Sequence, residues 1–330
     1  MLAVEISAPG GPEVLRPVDL PLPEPRPGEV LIRVAAAGIN APDLAQRRGA
    51  YGPPPDASPL PGLEVSGEIV GTGDKVIALC NGGGYADYVA VPAGQVLPLP
   101  AGWSLAAGAA LPETFFTVQQ TLVMRAGLEA GMQVLIHGAA GGIGGAAIQI
   151  CRLYGANPIA VVSSAEKAAY ARALGATATI DHSTEDFVER VRAITGGHGA
   201  DRILDMVGGD HLPRNVEASA RGGHIVQIAS LDGRKSAIAA GAFVARWLTL
   251  SGSTLRPQSA AAKAAIADSL RRDVWPALAD GRIRAPRIRA LPLAEAARGH
   301  RAMEARDNYG KIILVTAFGS EQTDNSIENL

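Results

Sequence analysis

The chain is predicted to be an α/β protein of two differently built parts, a β-rich unit followed by a doubly wound parallel sheet. Three observations carry this expectation. The N-terminal third is rich in Pro and Gly and holds short alternating runs, at residues 29–36 (EVLIRVAA), 68–70 and 85–91, which mark half-buried strands joined by turns. From about Thr117 the texture changes to helix and strand in alternation. Within that part, residues 134–156 (VLIHGAAGGIGGAAIQICRLYGA) give a buried strand, a glycine turn and a helix in that order.

Taken in order, the first residues alternate as a strand and lack the basic, apolar and cleavable sequence of a leader. The tetrapeptide Gly71-Thr72-Gly73-Asp74 fits a tight hairpin. A helix is expected over 117–125 and a strand over 133–137, then the fingerprint helix and a strand over 158–162. A helix over 165–174, stopped by Gly175, leads to a strand over 177–181, and a helix over 184–194 leads to a strand over 201–207. A short helix, strands over 223–229 and 248–254, and a helix over 259–279 follow. Strands over 287–291 and 311–315 flank a helix over 293–304. This C-terminal part is too short to fold well alone, so it is expected to rejoin the first part. The resulting division is 1–117 with 258–330, and 118–257. Residues 320–330 are polar and aperiodic, the composition of a disordered tail.

A length of 330 residues with 47% apolar side chains suits two ordinary cores. The net charge of −2 gives no field to draw nucleic acid or anionic lipid, and aromatics at 4% leave no basic surface interleaved with rings. Arg282, Arg284, Arg287 and Arg289 alternate along a strand-like segment, as a solvated strand face would. Two cysteines, Cys80 and Cys151, form no disulfide framework, and no run of 18 apolar residues exists to span a bilayer. A cytoplasmic protein is expected.

The glycine turn, residues 138–144, aims the unpaired amides of a helix start at a pyrophosphate. Aligned with the three-glycine fingerprint, Ala139 takes the first place, while Gly141 and Gly144 take the close-approach and packing places. A glycine-rich helix start that only packs tightly would leave the strand-turn-helix context as coincidence. The next strand ends in Ser163-Ser164-Ala165-Glu166-Lys167. Two hydroxyls and an ammonium suit a 2′-phosphate, so NADPH is expected over NADH. Glu166 has a structural reason to stand in a first helical turn, and the alternative for Lys167 is a solvated helix lysine. His182 is placed either beside the adenine or the 2′-phosphate, or in an exposed loop. His137, at a strand end, is expected to be a packed neutral ring, and His198, His211, His224 and His300 show no ligand spacing.

The segments AAGINAPDLAQRRGAYGPPP (36–55), PGLEVSGEIVG (61–71), NGGGYADYVAVP (81–92), ALPETFFTVQQTL (110–122) and AAGGIG (139–144) resemble the medium-chain dehydrogenase/reductase superfamily. More narrowly, they resemble its zinc-independent quinone oxidoreductases related to zeta-crystallin. The resemblance runs from Met1 to about Thr316. It implies a GroES-like catalytic domain, a Rossmann domain inserted before the C-terminal segment, a cleft between them for nicotinamide and substrate, and a homodimer; the apolar segment 248–253 is read either as the dimer edge or as a packed interior strand. Where zinc alcohol dehydrogenases of that superfamily carry a catalytic Cys and a His before Glu, this chain has Asn40 and Leu63 before Glu64. Neither replacement is a zinc ligand of that kind. Without a Lewis acid, alcohol oxidation is disfavoured, whereas a conjugated carbonyl needs only hydride and a proton.

Residue by residue, the resemblance places Asn40 and Asp43 beside the nicotinamide, with Tyr51 as the donor to the substrate oxygen; the alternative for Tyr51 is a ring that covers the cleft edge. It places Thr117 at the nicotinamide ribose, Ala140, Gly141, Gly142 and Ile143 at the pyrophosphate, and Ser163, Ser164 and Lys167 at the 2′-phosphate. His182 stands where the family usually has Tyr. Val207, Ile228, Ala229, Ser230, Gly252, Ser253, Thr254 and Asn308 line the cofactor's other side. The expected activity is NADPH-dependent reduction of a quinone or conjugated carbonyl. Enoyl-thioester or 2-alkenal reduction is the alternative within enzymes, for which Arg47 and Arg48 are the only basic residues seen near Tyr51. An NADPH-binding protein with a nucleic-acid-binding or stabilising role is the alternative of another class.

Overall fold

A computed structural model of the chain describes residues 1–231, 233, 235–306, 308–322 and 328–329. Two compact units divide it: Met1–Phe116 with Leu255–Gly281 and Ala285–Leu330, and Thr117–Thr254 with Arg282–Arg284. Leu255 and Arg256 belong to the first unit, where Arg256 hydrogen-bonds Gln46 and Asn81. Arg284 joins the second because both its backbone groups pair with the Gln149 amide, at 2.7 and 3.1 Å.

The first unit begins with an antiparallel pair, β1 (Leu2–Ile6) and β2 (Leu15–Asp19). Its long central strand β3 (Glu29–Gly38) is followed by β4 (Glu64–Ile69), β5 (Lys75–Leu79), β6 (Tyr88–Pro92) and β7 (Val96–Pro98), all in antiparallel pairings. Between β4 and β5 the chain turns through Gly71 and Gly73, both at positive φ, and the Gly73 amide donates to Ile69 at 2.9 Å. This is the tight hairpin the sequence called for.

The second unit is one parallel sheet of β8 (Gln133–Ile136), β9 (Asn157–Val162), β10 (Ala178–Asp181), β11 (Ala200–Asp205), β12 (Ser219–Gln227) and β13 (Thr249–Gly252), in the order β10-β9-β8-β11-β12-β13. That order is the doubly wound one, reversing between β8 and β11. Leu135, Ile159, Val161, Ile180, Ile203 and Ile225 form its core with Phe187 and Val191. At β8's end, His137 is fully buried, and burial lowers its imidazole to about 4, so the ring is neutral, as expected.

The chain then returns to the first unit as β14 (Ile288–Pro292), β15 (Lys311–Val315) and the two-residue β16 (Glu328–Asn329), with β15 pairing antiparallel to β3. The core under this sheet joins Val4, Ile32, Val34, Val65, Val89, Leu291 and Leu314, so both ends of the sequence fill it. The fold is thus α/β, with a β-rich unit and a parallel doubly wound sheet.

Several expected elements have different limits. The helix placed at 117–125 starts at Pro112, which suits a first helical position, and continues as a π-helix over Gln119–Arg125. The helix placed at 184–194 starts at Phe187, because Asp186 caps it by accepting from the Val188 and Glu189 amides. The helix placed at 259–279 breaks into Ala260–Asp273 and Trp275–Ala279, since Pro276 has no N–H to continue it. An unanticipated helix, Ala240–Arg246, precedes β13. Of the four alternating arginines only Arg289 lies in a strand, and Arg287 stacks on Tyr309, 4.3 Å from the ring centre. The expected disordered tail is corrected at both ends: Ser320 and Glu321 close a helix capped by Thr316, and Glu328–Asn329 pairs with β14. Residues 323–327 and Leu330 lie outside the described residues.

Candidate functional site

In the second unit the residues assigned to a cofactor collect at one edge of the sheet. Ala140–Ile143 follow β8, Ser163, Ser164 and Lys167 follow β9, and His182 follows β10. Val207 follows β11, Ile228, Ala229 and Ser230 follow β12, and Ser253 and Thr254 follow Gly252 at the end of β13. All are therefore at carboxyl ends of parallel strands, where open sheets of this order bind ligands. Thr117, in helix Pro112–Val118, is the first residue of this unit, whereas Asn308 belongs to the first unit.

The glycine turn is shaped for close approach. Gly141 is the N-cap of helix Gly142–Leu153, so the amides of the first turn have no partner within the helix. A Cβ on Gly144 would lie 2.4 Å from Ala139 Cα, which excludes any side chain there and lets the helix abut the strand end. A twelve-residue helix presents its positive end at this turn, and an anionic diphosphate fits that donor set. Ser164 caps the next helix by accepting from the Lys167 amide at 3.3 Å. Ser163 stays exposed, and Lys167 Nζ reaches its Oγ at 3.1 Å, gathering an ammonium and a hydroxyl at the strand end. His182 is exposed.

Across β13 lies an edge. The strand pairs on one side with β12 and ends the sheet, and Leu250, Val244 and Trp247 are exposed there.

The first unit holds a different chemistry: buried charge. Lys311 Nζ, at the start of β15, donates to Glu64 Oε1 on β4 and, at 2.7 Å, to Asn40 Oδ1. Asn40 Nδ2 donates to the same Glu64 oxygen at 2.8 Å, and the other Glu64 oxygen accepts the Glu113 amide at 2.9 Å. Asp43 closes the network, accepting from the Asn40 and Gly62 amides at 2.8 and 3.0 Å. Asn40 precedes helix Ala41–Arg47, and its side chain leaves the usual cap contact to hold Glu64 and Lys311. Burial raises Asp43 to about 6 against the effect of its two amide donors. The amide of Asn40 and both oxygens of Asp43 are thus committed inside the unit.

Tyr51 sits half-buried in the loop after that helix, with the Arg256 guanidinium over its ring at 5.6 Å. Arg256 is 4% exposed and donates to Gln46 Oε1 and the Asn81 carbonyl at 2.8 and 2.9 Å. Lys263 lies behind, donating to Asn81 Oδ1 and to the Arg256 carbonyl, and burial lowers it to about 8. Burial raises the Tyr51 phenol, which keeps it a neutral donor. Glu113, Arg256, Lys263 and Lys311 are the polar residues that sequence reasoning missed. The signals were present: a Lys opening the apolar run KIILV, and an acid inside the apolar phrase ALPETFF.

Zinc does not fit here. Leu63 is buried and apolar, Asn40 is an amide, and Glu64 already holds an ammonium that would repel a second cation. Among the described residues no three His, Cys, Asp or Glu side chains converge as a metal site.

Residues 26–101 match the alcohol dehydrogenase GroES-like domain, and residues 142–269 match the zinc-binding dehydrogenase family. The quinone oxidoreductase of Homo sapiens is 32% identical over 241 residues, covering 70% of this chain and 73% of the human protein. The chain belongs to the medium-chain dehydrogenase/reductase superfamily. Solved members of this superfamily superpose along nearly the whole chain. One is an NAD-dependent alcohol dehydrogenase, with 33% identity, TM-score 0.84, and 96% of this chain and 99% of the other covered. Another is the quinone oxidoreductase from Thermus thermophilus, solved also as its complex with NADPH, with 33% identity, TM-score 0.82, and coverage of 96% and 100%. The superfamily's GroES-like and Rossmann parts correspond to the β-rich unit and the parallel sheet described above.

Proposed function

We propose that this chain is a zinc-independent NADPH:quinone oxidoreductase that delivers hydride to a quinone or conjugated carbonyl. The observation that carries this reading is the Lys311 ammonium held by Glu64 and by Asn40, the residue that the resemblance sets at a zinc-ligand position. Quinone oxidoreductases among the relatives, one of them solved with NADPH, support the acceptor class and the cofactor.

Ala140, Gly141, Gly142 and Ile143 would bind the diphosphate, and Ser163, Ser164 and Lys167 the 2′-phosphate, with His182 beside them. Thr117, Val207, Ile228, Ala229, Ser230, Gly252, Ser253, Thr254 and Asn308 would line the rest of the cofactor. NADPH, when bound, supplies the hydride. Asn40 and Asp43 fix the loop that carries Tyr51, and Tyr51 donates a hydrogen bond to the acceptor oxygen as it gains charge. Orientation and exclusion of water, rather than a metal, do the rest.

Arg47 and Arg48 weigh against a thioester acceptor, since both are bound to Glu304 and offer no open pair for a phosphate. The exposed Val244, Trp247 and Leu250 beside the edge strand support assembly as a homodimer. Two buried free thiols accord with a reducing cytoplasm, and no helix among the described residues is long and apolar enough to cross a membrane.

NADPH oxidation measured across ortho-quinones, para-quinones, 2-alkenals and an enoyl thioester tests the proposal. Quinone turnover is expected, and activity confined to the thioester would sink it.

A further inference from the structure

At the amino ends of β11 and β12, opposite the sheet edge that carries the glycine turn, the second unit holds a cavity of about 190 Å³. Arg192, Arg221, Arg246, His198, Gly199 and Glu217 are among its lining residues. Two local features bring them together. Gly199 is at a φ of +94°, and a Cβ there would lie 2.7 Å from the Ala220 nitrogen, so only glycine lets the turn before β11 press against the start of β12. From the Ala200–Ser219 pair to the Arg202–His224 pair, β11 advances two residues while β12 advances five. The excess is a bulge, and it carries Arg221 out of the ladder to the cavity wall.

The three guanidinium groups are held in place but not neutralised. Arg246 Nη1 donates to the Val216, Glu217 and Ser219 carbonyls at 2.9, 3.0 and 3.2 Å, which covers the C-terminal end of helix His211–Ala218. Arg192 Nη2, from helix Phe187–Ile194, reaches the Glu217 carbonyl at 3.4 Å. The exposed Arg221 lies over the Trp247 ring, 3.7 Å from its centre, a stack that leaves its in-plane N–H groups open. Among the described residues none of the three is in an ion pair, whereas their neighbours Arg190 and Arg214 bind Glu185 and Asp186. His198 is paired with Asp201 at 2.8 Å, and Glu217 is the one carboxylate lining the cavity.

We propose that this cavity is an anion site that takes a phosphate group, free or as a small monoester, read by the forks of Arg192 and Arg221 with Arg246 fixed behind them. Guanidinium forks match phosphate oxygens bidentately, and the excess of cations over Glu217 suits a charge near −2 better than a single carboxylate. A cavity of this volume is smaller than the pockets that hold drug-sized ligands, so the occupant is small and a dinucleotide is excluded. The site lies at the other end of the strands from the cofactor edge and does not rest on the reductase reading.

Inorganic phosphate titrated into the full chain, without cofactor and at constant ionic strength, tests this when the Nε resonances of 15N-labelled arginine are followed. Saturable shifts are expected for Arg192, Arg221 and Arg246, the first two assigned by their loss in Arg192→Gln and Arg221→Gln. Each of these variants should weaken binding about tenfold, the scale of one lost charge-assisted pair. Lys167→Ala should leave the affinity at this site unchanged, which separates it from the residues assigned to the 2′-phosphate. Glycerol 3-phosphate distinguishes the sources: binding as tight as inorganic phosphate assigns a phosphorylated metabolite, and weaker binding assigns the free ion. Shifts that rise linearly without saturation, a curve unmoved by both arginine variants, or an equal response to acetate overturns the proposal and leaves the reductase reading intact.

Discussion

The two units solve the problem of interior polarity in opposite ways. The parallel sheet has an apolar core crossed by a hydrogen-bonded chain that holds no cation: His137 Nε2 meets Asn215 Oδ1 at 2.7 Å, and Asn215 Nδ2 donates to Asp205 at 2.9 Å. Since the Asn215 amide nitrogen faces a carboxylate, its oxygen must accept, which places the histidine proton on Nε2. Asp205 in turn accepts from the Val207 and Gly208 amides, so the chain ties the end of β8 to the turn after β11. The β-rich unit instead buries Lys311, Glu64, Asp43, Glu113, Lys263 and Arg256 together. The difference teaches that one unit is built to present backbone donors and the other to hold charge and protons near a loop.

On that contrast, breaking an ion pair should hurt more than breaking the hydrogen-bonded chain through Asn215. Lys311→Met leaves the Glu64 carboxylate buried without its cation and is expected to cost about 3–5 kcal/mol in chemical denaturation. Asn215→Leu strands a neutral imidazole N–H and one carboxylate oxygen, and about 1–3 kcal/mol is expected by the same measurement. Equal losses would remove the contrast. Lys167→Ala probes the donor-presenting unit alone: the preference for NADPH over NADH should drop about tenfold in binding titrations, with thermal stability unchanged. An unaltered preference would exclude Lys167 from 2′-phosphate recognition. Tyr51→Phe is the mildest test, in the charge-holding unit. Turnover should fall several-fold, on the scale of one lost hydrogen bond, while NADPH affinity is retained. Unchanged turnover would leave Tyr51 as a ring covering the loop.

Legibility followed the range of the interactions. The glycine turn, its flanking strand and helix, and the serine-lysine cluster are contiguous in sequence, so periodicity and residue type reveal them. Helix limits erred where a cap or a proline competed with the apolar pattern, at Asp186 and Pro276. Asn40 and Asp43 were visible through resemblance, yet their side chains turn inward, to Lys311, Glu64 and two amides, because burial demands that each polar atom find a partner.

By itself the sequence determined the two-part α/β architecture, the strand-turn-helix that receives an anion, and the missing Cys and His of a zinc site. Each is set by local pattern: alternation, glycine spacing, or a residue type at a motif position. Only the tertiary structure decided that Lys311 closes on Glu64 across 247 positions of sequence, and that the Glu113 amide meets the other oxygen of the same carboxylate. A side chain's protonation and partners depend on what surrounds it in space, and sequence neighbours carry none of that information for residues brought together by the sheet.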